Sequence, residues 1–349
     1  MDFPAGRPLV SSPAAVLDAM MARGAAFLGT RYAILGGAMS WVSERHLVSA
    51  LSNAGAFGVI ACGAMMPDRL AEEIAATQAL TDKPFGVNLI TMHPNLMELV
   101  QVCLDAGVGH IVFAGGIPPG PALKAAKEGG AKVICFAPAF ALAKKLVRSG
   151  ADALVIEGSE AGGHIGPVSL TVLAQEILPG IRDVPVFVAG GIGRGEAILS
   201  YLEMGAAGVQ LGTRFVCATE CVAHPNFKRA FIRGAARDAL PTVQLDPDFP
   251  VIPVRALQNE GTKRFMEHQA EMVRRFKAGE LSKEAAQLDI EHFWAGALRR
   301  AVVDGDVENG SVMAGQSVGM VTQEQPVAEI LSQLMDQAAA ALRQRSERI

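Results

Sequence analysis

Val186-Phe-Val-Ala-Gly-Gly-Ile-Gly-Arg-Gly-Glu-Ala-Ile-Leu-Ser-Tyr-Leu-Glu-Met-Gly-Ala-Ala-Gly-Val-Gln-Leu-Gly-Thr213 holds an apolar run, a glycine-rich turn, a helical segment and a second apolar run. Short runs of β-branched and aromatic residues bounded by glycine read as strands, and the longer segment between them reads as a crossover helix. Working outward, the same unit recurs along the chain. Eight apolar runs stand at residues 32–36, 57–62, 85–90, 110–114, 132–136, 153–157, 186–189 and 209–213. Their spacing, about 20 to 33 residues, is that of one strand, one helix and two loops. None alternates with polar residues, as expected when helices cover the outside of a sheet and side chains fill its inside. Eight such units predict a single α/β domain, a (β/α)8 TIM barrel, which needs about 250 residues before additions. The competing architecture, a doubly wound sheet, commonly uses five or six strands and carries its glycine fingerprint after the first; Gly36-Gly37-Ala38 lacks that spacing.

Composition agrees with one large buried core. Of 349 residues, 50% are hydrophobic and 19% charged, and the mean hydropathy is +0.28. A net charge of −4 without a basic run excludes the electrostatic footprint of a nucleic-acid binder. The five cysteines (Cys62, Cys103, Cys135, Cys217, Cys221) are scattered singly, which suits a reducing compartment. Cys217, Cys221 and His224 are too few for a metal site, so no metal is expected. No signal-peptide pattern opens the sequence and no apolar run is long enough to span a membrane, so the expected location is cytoplasmic.

Four regions follow from the pattern. Residues 1–30 form an N-terminal extension whose helical segment, 13–23, precedes the first strand and is placed to close the barrel bottom. Residues 31–217 form the barrel. Residues 218–308 form a helical cover subdomain inserted after strand eight, with helices at 218–240, 262–279 and 283–303 and a Pro- and Asp-rich loop at 241–253. Residues 309–349 form a small-residue loop that folds back over the site, then a C-terminal helix at 326–345.

Barrel sites lie at the carboxyl ends of the strands, so the residues just after each run carry the information. Gly190 and Gly191 after strand seven, with Gly212 and Thr213 at strand eight, suit a phosphate, because glycines let backbone N–H groups approach its oxygens. His164, in the glycine-flanked loop after strand six, is the candidate acid/base. The other histidines lie in helical segments, at a strand start or beside prolines. Asn88 serves either as an amide partner for a heterocycle or as a cap for the next helix. Glu157 ends an apolar strand, where a carboxylate needs pairing or solvent, and could accept from a ribityl hydroxyl. Glu160 reads as a solvated or capping residue, and the methionines read first as core filling.

Together, Gly37-Ala-Met-Ser-Trp-Val42, Lys83-Pro-Phe-Gly-Val-Asn88, Glu157-Gly-Ser-Glu-Ala-Gly-Gly-His-Ile-Gly166, Val188-Ala-Gly-Gly-Ile192, Val209-Gln-Leu-Gly-Thr-Arg-Phe215, Ala223-His-Pro-Asn226 and Gly310-Ser-Val-Met-Ala-Gly-Gln316 give the chain a resemblance. It resembles the nitronate monooxygenase (2-nitropropane dioxygenase) superfamily, which includes flavin-dependent enoyl-acyl-carrier-protein reductases. The match covers most of the chain, and the Glu-Ala-Gly-Gly-His-Ile-Gly run is its most specific part. The resemblance implies FMN, with phosphate at Gly190, Gly191, Gly212 and Thr213, ring near Ala38, Met39 and Asn88, and Gln316 in the closing loop. Glu157 and Gly163 complete the expected cofactor-contact set, and His164 is the implied catalytic residue. One departure stands out: the family usually has Gln-Gly-Gly-Met where this chain has Gly36-Gly37-Ala38-Met39.

The resemblance implies a small-molecule substrate and admits a homodimer. The first expected activity is oxidation of alkyl nitronates with O2. The alternative is NAD(P)H-dependent reduction of an enoyl thioester, with or without an acyl carrier protein as the carrier. A flavin-binding protein without turnover is the third reading.

Overall fold

The computed structural model describes residues 12–63, 65–247, 249 and 251–347. The first eleven residues of the expected N-terminal extension therefore lie outside the described residues. Eight parallel strands, β1 (Ile34–Gly36), β2 (Phe57–Ala61), β3 (Phe85–Ile90), β4 (His110–Ala114), β5 (Lys132–Phe136), β6 (Ala153–Glu157), β7 (Val186–Ala189) and β8 (Gly208–Leu211), pair in sequence order. β8 returns to β1 with Ile34 opposite Val209 and Gly36 opposite Leu211, which closes a (β/α)8 TIM barrel. Strand residues such as Ile34, Val87, Ile111, Val133, Leu154 and Phe187 are fully buried, as continuous apolar runs require. The eighth strand ends at Leu211, earlier than its sequence pattern suggests. Gly212 then caps a single helical turn, Thr213–Val216.

The helix Pro13–Leu28 closes the amino-terminal end of the barrel. Ser12 caps it, its Oγ accepting from Ala15 N at 3.2 Å, and Gly29 ends it in the left-handed conformation. At its last turn Phe27 meets the His110 ring edge-on at 5.4 Å and lies 6.3 Å from Phe187. His110 Nε2 donates to the Phe27 carbonyl at 3.0 Å. An aromatic plug thus replaces water at the strand starts.

After β8 the chain builds a second, smaller core. Ala239–Pro241 and Val254–Leu257 pair antiparallel. The helices Glu260–Lys277 and Lys283–Val302 pack Phe265, Met272, Ile290 and Trp294 against Phe249 and Val254, with the Phe265 and Trp294 rings stacked 4.0 Å apart. The expected helix at 218–240 is not continuous. Only Pro225–Arg233 is α-helical, entered through a His224 cap and followed by a 3-10 turn and the strand Ala239–Pro241. Pro225 can begin a helix but not sit within one, and residues 239–241 are drawn into pairing by a partner strand distant in sequence.

Burial holds His110 neutral by pushing its imidazole down to about 4 from 6.5. Between those values the unfolded chain binds a proton that the folded chain does not, so stability is complete above pH 6.5 and falls as pH drops toward 4. In urea titrations the stability advantage of wild type over His110→Asn should shrink by about 1–2 kcal/mol between pH 7 and pH 5, at most about 1.4 kcal/mol per unit. An advantage independent of pH would contradict a neutral buried imidazole.

Candidate active site

Backbone hydrogen bonds gather the loops at the carboxyl end of the barrel. Gly37 N donates to Leu211 O at 2.8 Å, and Gly158 N to Ala189 O at 2.9 Å, linking the β1, β6, β7 and β8 ends. The loop after Val312–Met313 is tied down twice, by Gly315 N to Thr213 Oγ1 at 3.0 Å and by Gln316 N to Glu160 O at 2.9 Å. Gln316 is thereby fixed, half-buried, above the β6 and β8 ends.

The glycines of the β7 turn are required by conformation and by space. Gly190 (φ 98°) and Gly191 (φ 70°) are left-handed, and a Cβ on either would lie 2.9 Å from Gly158 O or 3.0 Å from Glu160 Cβ. Gly212 faces Met39, whose Sδ would be 3.3 Å from an added Cβ, so the β1 turn and the β8 end adjoin. Thr213 Oγ1 accepts from Gly315 N, leaving its hydroxyl hydrogen free to donate. These donors and this close-packed backbone fit the phosphate of a nucleotide-like cofactor.

Two polar groups stand deeper in the mouth. Asn88 is buried within β3 and donates through Nδ2 to Val112 O at 3.2 Å, so it caps no helix; its side-chain oxygen has no partner among the described residues. Glu157 closes β6, and no cation pairs with it among the described residues. Although some of its surface stays accessible, burial among the strand ends pushes its carboxyl up to about 8. Glu160 takes the capping role, Oε2 accepting from Leu170 N at 2.9 Å at the start of the helix Leu170–Ile177.

His164 belongs to a two-residue strand, Gly163–His164, paired antiparallel with Val254 and Arg255. Its side chain is 41% exposed and its Nε2 lies 3.2 Å from Glu291 Oε2, on the helix Lys283–Val302. Gly163 (φ 80°) lies beside Met313 Sδ, within this small sheet. Sequence reasoning missed Glu291, one acidic residue among several on its helix, and Arg255, which is buried and donates to Ser159 O at 2.9 Å and to Ala239 O. It also missed Gln210, although a polar residue inside the run Val209–Leu211 was a usable signal. Its amide is buried against Gly37, 3.2 Å from where a Cβ would stand. The departure at Gly36 has a packing counterpart: Leu51 occupies the space a Cβ there would enter.

The comparisons agree with a (β/α)8-barrel enzyme. The nitronate monooxygenase family model matches residues 22–337. The chain is 34% identical to the (3aS,4S,5R,7aS)-5-hydroxy-7a-methyl-1-oxo-octahydro-1H-indene-4-carboxyl-CoA dehydrogenase of Mycobacterium tuberculosis, over 67% of this chain and 65% of that relative's length. It is 28% identical to a probable nitronate monooxygenase of Staphylococcus saprophyticus, over 79% of this chain and 91% of the relative. The structure of FabK from Thermotoga maritima is similar with a TM-score of 0.83 and 34% identity, covering 94% of this chain and 99% of that one. The chain belongs to the nitronate monooxygenase family and is an oxidoreductase.

The Glu157 environment sets a stability signature. Its folded value of about 8 lies above the ordinary 4.5, so the stability this carboxyl contributes is fully present below pH 4.5, falls through the window between the two values, and is gone above about 8. In the flavin-free protein, Glu157→Gln should be less sensitive to pH. The stability of wild type relative to the variant should drop by about 1–3 kcal/mol between pH 5 and pH 8, after allowance for solvent screening. Parallel pH profiles would show that Glu157 is ionised in the fold.

Proposed function

We propose that this chain is an FMN-dependent oxidoreductase that reduces an enoyl thioester with electrons from NAD(P)H, with His164 as the site acid. The observation that carries the reading is His164 itself, held by backbone pairing at the end of the post-β6 loop, whose earlier residues Gly158 and Glu160 pack against the glycines of the β7 turn. His164 and Glu291 are 41% and 36% exposed, an openness that suits a substrate on a long carrier better than a small enclosed one. The 34% identity to a carboxyl-CoA dehydrogenase supports a thioester substrate in the same way.

When bound, FMN supplies the two-electron chemistry, accepting and passing hydride. Gly190, Gly191 and Gly212 offer backbone N–H groups, and Thr213 its hydroxyl, to the phosphate. The side-chain oxygen of Asn88 would be available to a ring N–H, Ala38 and Met39 would hold the ring, and Glu157 and Gly163 would complete the contact set. The Gln316 loop excludes water. Glu291 Oε2 pairs with Nε2 of the protonated His164 at 3.2 Å, and the Nδ1–H of that imidazolium supplies the proton to the substrate α-carbon, leaving the neutral ring. Nitronate oxidation with O2 is the second reading, favoured by the family match and by the relatives so named. There the same imidazole would assist at the carbon bearing the nitro group.

Anaerobic stopped-flow mixing of the flavin-loaded protein with NADH, NADPH and an alkyl nitronate separates these readings. The expected result is bleaching by a pyridine nucleotide and recovery of the oxidised spectrum on adding an enoyl thioester. His164→Ala should keep its flavin and lose turnover by about 10²- to 10⁴-fold. Bleaching by the nitronate alone would replace the first reading with the second, and flavin loss in His164→Ala would contradict the role given to the histidine.

A further inference from the structure

The last residue of the Gly212-Thr213-Arg214 sequence is a buried cation without a counter-ion. Arg214 is 5% exposed. Its Nη2 donates to Gln325 Oε1 at 3.0 Å and to Gln333 Oε1 at 2.7 Å, while Nη1 is buried with no hydrogen-bond partner among the described residues. Among the described residues no carboxylate pairs with it. The other buried cations of this half of the molecule are treated differently. Lys228 meets Glu324 at 3.0 Å and the Ala218 carbonyl at 2.8 Å. Arg255 donates to two carbonyls and feels the nearby Glu160 carboxylate.

Glutamine dipoles alone compensate a guanidinium poorly, and a buried charge without an opposite charge is strongly unfavourable. Burial lowers the proton affinity of Arg214, as it does for any cation taken out of water. The missing negative charge has a natural place. Arg214 directly follows Gly212 and Thr213, and the cradle formed with Gly190 and Gly191 holds no lysine or arginine of its own. Arg194, the basic residue after the β7 turn, is exposed and spent on Glu196 at 2.6 Å.

We propose that Arg214 is the charge complement of the cofactor phosphate, acting through the intervening helical turn without touching it, and that it makes the site prefer phosphorylated flavin over riboflavin. This rests on the FMN reading above. In a poorly screened interior, one unit charge a few residues from a phosphate is worth on the order of tenfold in affinity or more. A residue serving merely as a strut between the Thr213–Val216 turn and the helix Val327–Ser346 would affect both flavins alike.

The test is a two-by-two comparison of FMN and riboflavin binding to the flavin-free full chain, wild type against Arg214→Gln, followed by flavin fluorescence quenching. Wild type should prefer FMN; Arg214→Gln should lose about tenfold or more in FMN affinity while riboflavin affinity stays within about twofold. Arg214→Lys, which keeps the charge but not the two-pronged hydrogen bonding, should retain the FMN preference. Equal weakening of both flavins in Arg214→Gln, or an undiminished FMN preference, would overturn the inference alone. Wild type that binds neither flavin would overturn the cofactor reading and the inference with it.

Discussion

Four residues, Val254–Leu257, impose the constraint on which the arrangement of the site depends. On one edge they pair with Ala239–Pro241; on the other, Val254 and Arg255 take Gly163–His164, while Ala256 and Leu257 take Val312–Met313. One short strand therefore fixes both the histidine loop and the loop that carries Gln316. Because side chains alternate along a strand, a one-residue slip would turn His164 to the opposite face. The register is pinned by burial of Val254 in the second core and by Arg255, which reaches the carbonyls of Ser159 and Ala239. The helices Glu260–Lys277 and Lys283–Val302 thus do more than cover the barrel. Their core holds the strand, the strand holds His164, and the second helix supplies Glu291 to the imidazole.

The barrel end opposite this sheet is settled differently at each layer. At the amino-terminal end aromatic rings pack around the strand starts, and the histidine there is held neutral against Phe27 and Phe57. At the carboxyl end three polar groups have no partner among the described residues: the Asn88 side-chain oxygen, the Glu157 carboxyl and the buried Arg214 Nη1. Unpartnered polar groups cost stability, and beside a glycine-rich turn they are what binding a polar ligand requires. Glycines at 190, 191 and 212 add backbone close enough for such a ligand to read.

The barrel was legible because each strand and helix announces itself locally, through apolar runs of the right length and glycines at their ends. The glycine turns at the ends of β7 and β8 were legible for the same reason: they follow those strands directly in sequence. His164 could be singled out by its loop, but not its pairing with Val254, since a two-residue strand has no period to detect and its partner lies ninety residues away. Glu291 left no signal on a helix with several acidic residues. The expected helix at 218–240 failed because local helical tendency competed with Pro225 and with the strand pairing of residues 239–241, a tertiary demand that local pattern does not encode. Gln210 was visible as a polar residue within an apolar strand, and its meaning emerged only when Gly37 was found against it.

On the proposed function, the β7 and β8 ends form a phosphate cradle for FMN. The most direct test is the identity and amount of flavin released on denaturing the gently purified full chain, alongside Gly191→Ala, whose added Cβ meets Glu160 in a left-handed turn. Wild type should release about one FMN per chain, at the occupancy of a tight single site, and the folded variant little or none. Release of FAD, absence of flavin from wild type, or full FMN occupancy in a folded Gly191→Ala would contradict it.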